Sequence, residues 1–139
     1  YQTMAGKFAV PALLFDPSAA TQKKIAATFS HCDIEPTLLQ YLGYNHSFPA
    51  FGVSALSDSV PHFAVQYENG LYQYISENMV MHFDGNKISA VYNMQTDSLL
   101  RNNLINQWQA NEKLQAKQQL KAYIQNYYQR LNANTLLKK

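Results

Sequence analysis

The sequence predicts an α+β fold: a buried strand and a short capped helix come first, and a four-stranded antiparallel sheet packed against a long C-terminal helix follows. Three observations predict it. Residues 62 to 95 alternate with a period of two between Asn-Gly and Asp-Gly turn signals, the pattern of hairpins. Residues 98 to 137 carry apolar side chains at helical spacing without a Pro or Gly. Near the start, Phe8-Ala9-Val10-Pro11-Ala12-Leu13-Leu14-Phe15 is one continuous apolar run. The 139 residues are 47% hydrophobic and 13% aromatic, enough for a core and unlike a disordered chain.

The run from Phe8 to Phe15 ends at Asp16-Pro17-Ser18 and reads as a strand buried on both faces, the kind that belongs to a larger sheet. Pro11 has no donor, so the strand starts at Ala12 or lies at an edge. A Ser, Ala, Lys and Gln mixture over residues 18 to 29 carries a short helical turn. A complete helix grammar comes next. Asp33 is placed to cap by accepting the amide of Glu35, Pro36 sits in the first turn, and Gly43 supplies the left-handed stop. Ile34, Leu38, Leu39 and Leu42 give this helix one apolar face. Residues 44 to 62 form a loop punctuated by Pro49, Gly52 and Pro61 and anchored by Phe48, Phe51, Val53 and Leu56.

Strands are expected at Phe63–Tyr67, Leu71–Ile75, Met79–Phe83 and Lys87–Tyr92, joined as a meander through Glu68-Asn69-Gly70, Ser76-Glu77-Asn78 and Asp84-Gly85-Asn86. Asp97 is placed to cap the helix that follows, which is broken near Asn111. Its stripe runs through Leu100, Leu104, Trp108, Leu120, Tyr123, Ile124, Tyr127 and Leu131, and the sheet's inner face is the nearest surface to bury it. Residues 1–61 and 62–139 are the two units this organisation implies.

The formal charge of +2 conceals an asymmetry, with four Lys against eight Asp or Glu in residues 1 to 100 and seven Lys or Arg against Glu112 alone thereafter. Lys113, Lys117, Lys121 and Arg130 are spread along the helix among Gln and Asn, as on a solvated face. No dense basic cluster or nucleic-acid motif accompanies them, so nucleic acid is not an expected partner. No apolar run approaches 18 residues, so no membrane span is expected. The chain begins Tyr1-Gln2-Thr3 and reads as a piece of a longer protein.

Histidines 31, 46, 62 and 82 form no metal-binding spacing, and the single Cys32 has no partner for a zinc site or an internal disulfide. No metal ligand and no catalytic residue is assigned. His31 is the one candidate for substrate contact: it precedes the capped helix at the end of a connecting segment, which the family resemblance described below implies faces the active-site side of a parent enzyme. His82 is expected as a half-buried, satisfied ring and Cys32 as a buried structural thiol. Asp33 and Glu35 read as a cap and a first-turn carboxylate rather than an acid and base pair. Tyr67, Tyr72, Tyr74 and Tyr92 read as core and cross-strand pairs.

Asp33-Ile34-Glu35-Pro36-Thr37-Leu38-Leu39-Gln40-Tyr41-Leu42-Gly43 resembles the Asp-Ile-x-Pro-Thr-Leu-Leu-x-x-Leu-Gly helix late in sulfatase-like enzymes of the alkaline phosphatase superfamily. Phe51-Gly52-Val53-Ser54-Ala55-Leu56 is similar to that family's Phe-Gly-x-Ser-Leu segment, and Asn69 to Ile75 to a late strand ending Gly-x-x-Lys-Tyr-Ile, with Gln73 in place of Lys. Tyr92 to Leu104 is similar to the closing Leu-Tyr-Asp-Leu-x-x-Asp-Pro-x-Glu-x-x-Asn-Leu motif, with Asn93 for Asp, Ser98 for Pro and Leu100 for Glu. The match covers roughly residues 8 to 104. His31-Cys32-Asp33-Ile34 with Tyr41-Leu42-Gly43-Tyr44 looks closest to the lipoteichoic acid synthase-like branch.

The resemblance implies that residues 1–61 are the late strand and helix of an α/β catalytic core, with 62–139 as the appended subdomain. It implies a parent that acts on sulfate or phosphate esters with a divalent metal, Ca, Mg, Mn or Zn, held by residues ahead of this region. The lipoteichoic acid synthase-like branch further implies a parent anchored in the inner membrane by N-terminal helices and working outside the cytoplasm. This chain's partner would then be the rest of the parent's catalytic domain. The alternative is a stand-alone module that binds glycan on its aromatic sheet face, or an anionic surface on its basic helix. A third is self-association through the long helix.

Overall fold

The structure, a computed structural model, describes residues 3–135. It has the α+β class that the sequence predicts. Helix α1 (Met4–Phe8) is followed by a long irregular stretch, a 3-10 turn (His31–Asp33) that runs straight into α2 (Ile34–Tyr41), and a loop to residue 63. Strands β1 (Ala64–Glu68), β2 (Leu71–Ser76), β3 (Met79–Phe83) and β4 (Ile88–Asn93) then make an antiparallel meander in the order β1-β2-β3-β4. Helix α3 (Ala110–Asn132) closes the fold.

The meander follows from its turns and its alternation. Asn69 and Gly70 both take positive φ, 52° and 80°, which matches the twist of the strands they join. Register then places Val65 opposite Tyr74, Tyr74 opposite Met81, and Met81 opposite Val91, all on one face. Tyr74, Met81, Phe83 and Val91 of that face enclose Ala116 and Leu120 of α3 in a single core, flanked by Ile105, Trp108 and Ile124. Fully burying a side chain such as Leu120 contributes about 1.5–3 kcal/mol.

The opposite face carries a polar ladder that residue types alone do not reveal. Gln73 is wholly buried there. Its Nε2 donates to Oε1 of Gln66 at 3.0 Å, and its Oε1 accepts from Nε2 of His82 at 3.0 Å. Each of the three sits on a different strand, in register across β1, β2 and β3.

Three expected elements differ, the first being the helical turn over residues 18 to 29, which are irregular and exposed apart from Thr28 and Phe29. Residues 9 to 15 form no strand; Phe8, the first residue of the apolar run, ends α1 and the rest is irregular and exposed, Leu13 at 93% and Phe15 at 81%. A strand needs neighbours for its backbone groups, and among the described residues no strand of the sheet pairs with this segment. The long helix also starts at Ala110 rather than near residue 98. Asp97 caps no helix: its Oδ2 accepts the amide of Asn102 at 2.7 Å, and Leu100 has a φ of 52° that no continuing helix allows. The edge of β4 draws this segment alongside it. Leu104 donates to the Val91 carbonyl at 2.7 Å, while Oδ1 of Asn103 accepts the amides of Val91 and Ile105 at 3.1 and 3.0 Å. Residues 136 and 137 of the predicted helical stripe lie outside the described residues.

Candidate functional site

The 3-10 turn, α2 and the loop behind them meet in one compact joint built around Asp33. Asp33 is 3% exposed, and its carboxylate does not cap Glu35 as the sequence predicts. Oδ2 accepts the amide of Ser30 at 2.7 Å, which closes the 3-10 turn, and Oδ1 accepts the amide of Val53 at 2.8 Å. Hydrogen bonds to an ionised acceptor are the stronger kind, so a buried carboxylate that finds two amides is well compensated. The α2 helix enters directly from a 3-10 turn, leaving Asp33 free to hold the loop instead.

Thr37 repeats the arrangement one turn later. Its hydroxyl donates to the Asp33 carbonyl at 2.5 Å and accepts the amide of Ala55 at 2.9 Å. Between these two clasps lies Gly52, where any Cβ would overlap the Cys32 carbonyl and the Asp33 carboxylate. Only a residue without a side chain permits the loop to lie this close. Pro36, buried in the first turn of α2, and Gly43, with a φ of 73° at its end, complete the grammar the sequence predicts.

Helix α3 grips the same joint from its other side. Tyr123 is half-buried beside Cys32 and Asp33, and burial first, then the charge and hydrogen bonding of Cys32 and the charge of Asp33, pushes its phenol up to about 12. The Phe51 ring lies 5.9 Å from Tyr127, with the Arg130 guanidinium 4.8 Å above it. The residues of α3 thus divide by face, Leu120 and Ile124 toward the sheet and Tyr123 and Tyr127 toward the loop.

His31 opens the 3-10 turn two residues before Asp33 and is exposed. Cys32 beside it is exposed rather than buried, because its carbonyl, not its thiol, faces the packed Gly52. The other histidines stand apart. His46 packs edge-on to Tyr44 at 5.3 Å, and His62 donates through Nε2 to the Ser57 carbonyl at 2.8 Å. His82 is the half-buried, hydrogen-bonded ring expected, and burial pulls its pKa below the usual imidazole value. Among the described residues no group of three or more His, Cys, Asp and Glu comes together to hold a metal ion.

Two further surface features lie apart from this joint. An open polar cleft of about 670 Å³ lies between residues 26–28, the segment from Asp58 to His62 and the β2–β3 turn at Ser76 to Asn78. At the far end of the sheet Tyr67 and Tyr72 form the expected cross-strand aromatic pair, ring centres 4.5 Å apart, and Tyr67 is 61% exposed. The cations of α3 are less free than a solvated face requires. Lys117 donates to the Asn86 carbonyl at 3.1 Å and lies 5.4 Å from the centre of the Phe83 ring, and Lys113 donates to the Ile105 carbonyl. No helix of the described residues is long and apolar enough to cross a membrane. Comparison with family models, curated proteins and solved structures finds no match to this chain.

Proposed function

We propose that this chain is the C-terminal, cleft-shaping part of a metal-dependent, sulfatase-like enzyme that hydrolyses sulfate or phosphate esters or transfers phosphoglycerol- or phosphoethanolamine-type groups. The reading is carried by the way the matched motifs meet in space. Asp33 and Thr37 of the Asp-Ile-x-Pro-Thr segment hold Val53 and Ala55 of the Phe-Gly-x-Ser segment, and Gly52 is the residue whose side chain would collide with that contact. Asn103 of the closing motif likewise holds the β4 edge. Motif residues with such roles explain a resemblance that reaches architecture without reaching chemistry.

In this reading His31 lies at the rim where the joint meets substrate, and the nucleophile and metal ligands are supplied by preceding residues of the polypeptide. The parent works outside the cytoplasm, held to the inner membrane by helices of its own. The test compares residues 1–139 with the complete gene product on aryl sulfates and on a phosphodiester, with Mn²⁺, Mg²⁺ or Ca²⁺ added. Turnover by the complete product alone is expected. Turnover by the 139-residue chain, or an upstream sequence without an Asp-His pair and a Ser, Cys or Thr nucleophile, ends the proposal.

The exposure of Tyr67 favours a second reading, a stand-alone module that binds glycan on its aromatic sheet face. Titration with soluble oligosaccharides that leaves the tyrosine ring resonances unmoved eliminates it.

A further inference from the structure

Just before α3 the chain makes one tight turn, in which the amides of Gln107 and Trp108 both donate to the Leu104 carbonyl, at 2.9 and 2.8 Å. That turn brings Gln107, Trp108 and Gln109 beside the first turn of the helix, which carries Glu112. With Leu104 these four residues line an open hollow of about 350 Å³. Ligand pockets run from about 300 to 1,000 Å³, so this one suits a single ring. Trp108, the single tryptophan, also packs against the core, which holds its side of the hollow in place. Its Nε1 donates to Oε2 of Glu112 at 2.5 Å, a bond that fixes the carboxylate and occupies the indole's one polar group. What the indole offers the hollow is therefore apolar carbon surface. Oε1 of Glu112 and the side-chain amides of the exposed Gln107 and Gln109 have no hydrogen-bond partner among the described residues.

This lining asks for two things at once: apolar surface for the indole, and groups that both donate and accept around it. An ionised carboxylate only accepts, whereas each carboxamide does both. A sugar ring meets both needs, because its hydroxyls donate and accept around the rim while its C–H bonds gather on a face. A flat aromatic ligand would leave the three polar side chains idle, and an anion would be repelled by Glu112. A cation gains less than a bare carboxylate would give it, since the indole N–H already engages Glu112 and Lys113 follows in the chain. We propose that the hollow between Leu104, Trp108 and Glu112 binds one neutral pyranose ring of a glycan, with the indole against its C–H face and Glu112, Gln107 and Gln109 on its hydroxyls. The site shares no residue with the tyrosine pair of the sheet or with the Asp33 joint, and it rests on neither reading of the whole protein.

Because Trp108 is the only tryptophan, the emission of the 139-residue chain reports this hollow directly. The probes are methyl β-glucoside, methyl β-galactoside, methyl N-acetyl-β-glucosaminide and, as a charged counterpart, methyl β-glucuronide. At least one neutral probe should change the emission saturably with a Kd of about 1 mM, and the glucuronide should bind at least about ten-fold more weakly. Glu112→Gln removes the charged acceptor and should weaken binding about ten-fold. Gln107→Ala combined with Gln109→Ala should weaken it by a similar factor, about ten-fold. Those side chains hold nothing else in the fold, so the double variant decides even if Glu112→Gln disturbs Trp108. No saturable change with any neutral probe up to about 100 mM overturns the proposal. So does unchanged affinity in either variant, and so does a glucuronide that binds as tightly as the neutral probes. The sheet-face reading fails separately: ring resonances of Tyr67 and Tyr72 that move while Trp108 emission stays constant keep that reading and discard the hollow, and the reverse result does the opposite.

Discussion

Leu120 and Leu13 are the same residue in one chain, yet Leu120 is wholly enclosed between α3 and the sheet while Leu13 is 93% exposed. The contrast extends to the halves that hold them. Residues 62 to 135 bury Tyr74, Val80, Met81, Phe83, Val91 and Leu120, whereas residues 3 to 61 bury little beyond Ala5, Asp33, Pro36 and Ala55. Residues 62 to 135 supply their own core; residues 3 to 61 are held by hydrogen bonds to the Asp33 carboxylate and the Thr37 hydroxyl and by contacts with α3. Apolar content alone therefore does not tell where a core lies. What matters is whether the topology brings a second layer within reach.

The strongest way to break this contrast is to attack the core that exists. Phe83→Ala removes a wholly buried ring packed against α3 and should cost about 3–5 kcal/mol, since the cavity adds to the lost transfer energy. Urea denaturation followed at Trp108 measures it. A loss below about 1 kcal/mol would mean that the sheet and α3 are not the unit described.

The joint at Asp33 should come next in size. Asp33→Ala leaves the amides of Ser30 and Val53 without their acceptor, a loss of about 1–3 kcal/mol for each buried group left unpaired. Gly52→Ala should damage the same contact from the other side, by pushing the loop away from Cys32. Because both act on one contact, their effects should be less than additive in a double-mutant cycle. Full additivity in denaturation midpoints would show that the loop is held elsewhere.

The legibility of the chain follows the same division. The meander was readable because hairpins are local: Asn69-Gly70 and the alternation around it specify pairing within a few residues. The start of α3 was not, because Leu100, Leu104 and Trp108 keep helical spacing while Asn103 and Leu104 are drawn to the β4 edge, a competition that local pattern cannot report. At the joint, Asp33, Pro36 and Gly43 announced a helix. That Asp33 holds Val53, twenty residues away, depends on the loop's return path. Gly52 was the available signal for that return, since a glycine between Phe51 and Val53 marks a close approach.

Acid should separate the halves more gently. Burial lowers the pKa of His82 in the folded sheet, so the native state favours the neutral ring. Below an unfolded value of about 6.5, the unfolded chain binds a proton that the native ring does not yet take. The contribution of His82 is therefore present above that pH and is lost as pH falls toward its lowered native value. Denaturation midpoints measured from pH 8 to pH 5 should decline across this window, and His82→Gln should flatten the decline. A midpoint that rises on acidification would reverse the assignment.

The smallest effect should come from the most conspicuous residue. Leu13→Asp places a charge where the side chain already meets water and the neighbouring backbone pairs with nothing, so the stability of the 139-residue chain should change by no more than about 0.5 kcal/mol. Leu120→Asp is the matched control and should prevent folding, since its charge would be buried in the core without a partner. If Leu13→Asp instead lowered the urea midpoint as far as a core substitution does, the segment would already be covered in the chain alone. The difference between the halves would then be one of packing partner, with the apolar run folded back on a surface of its own.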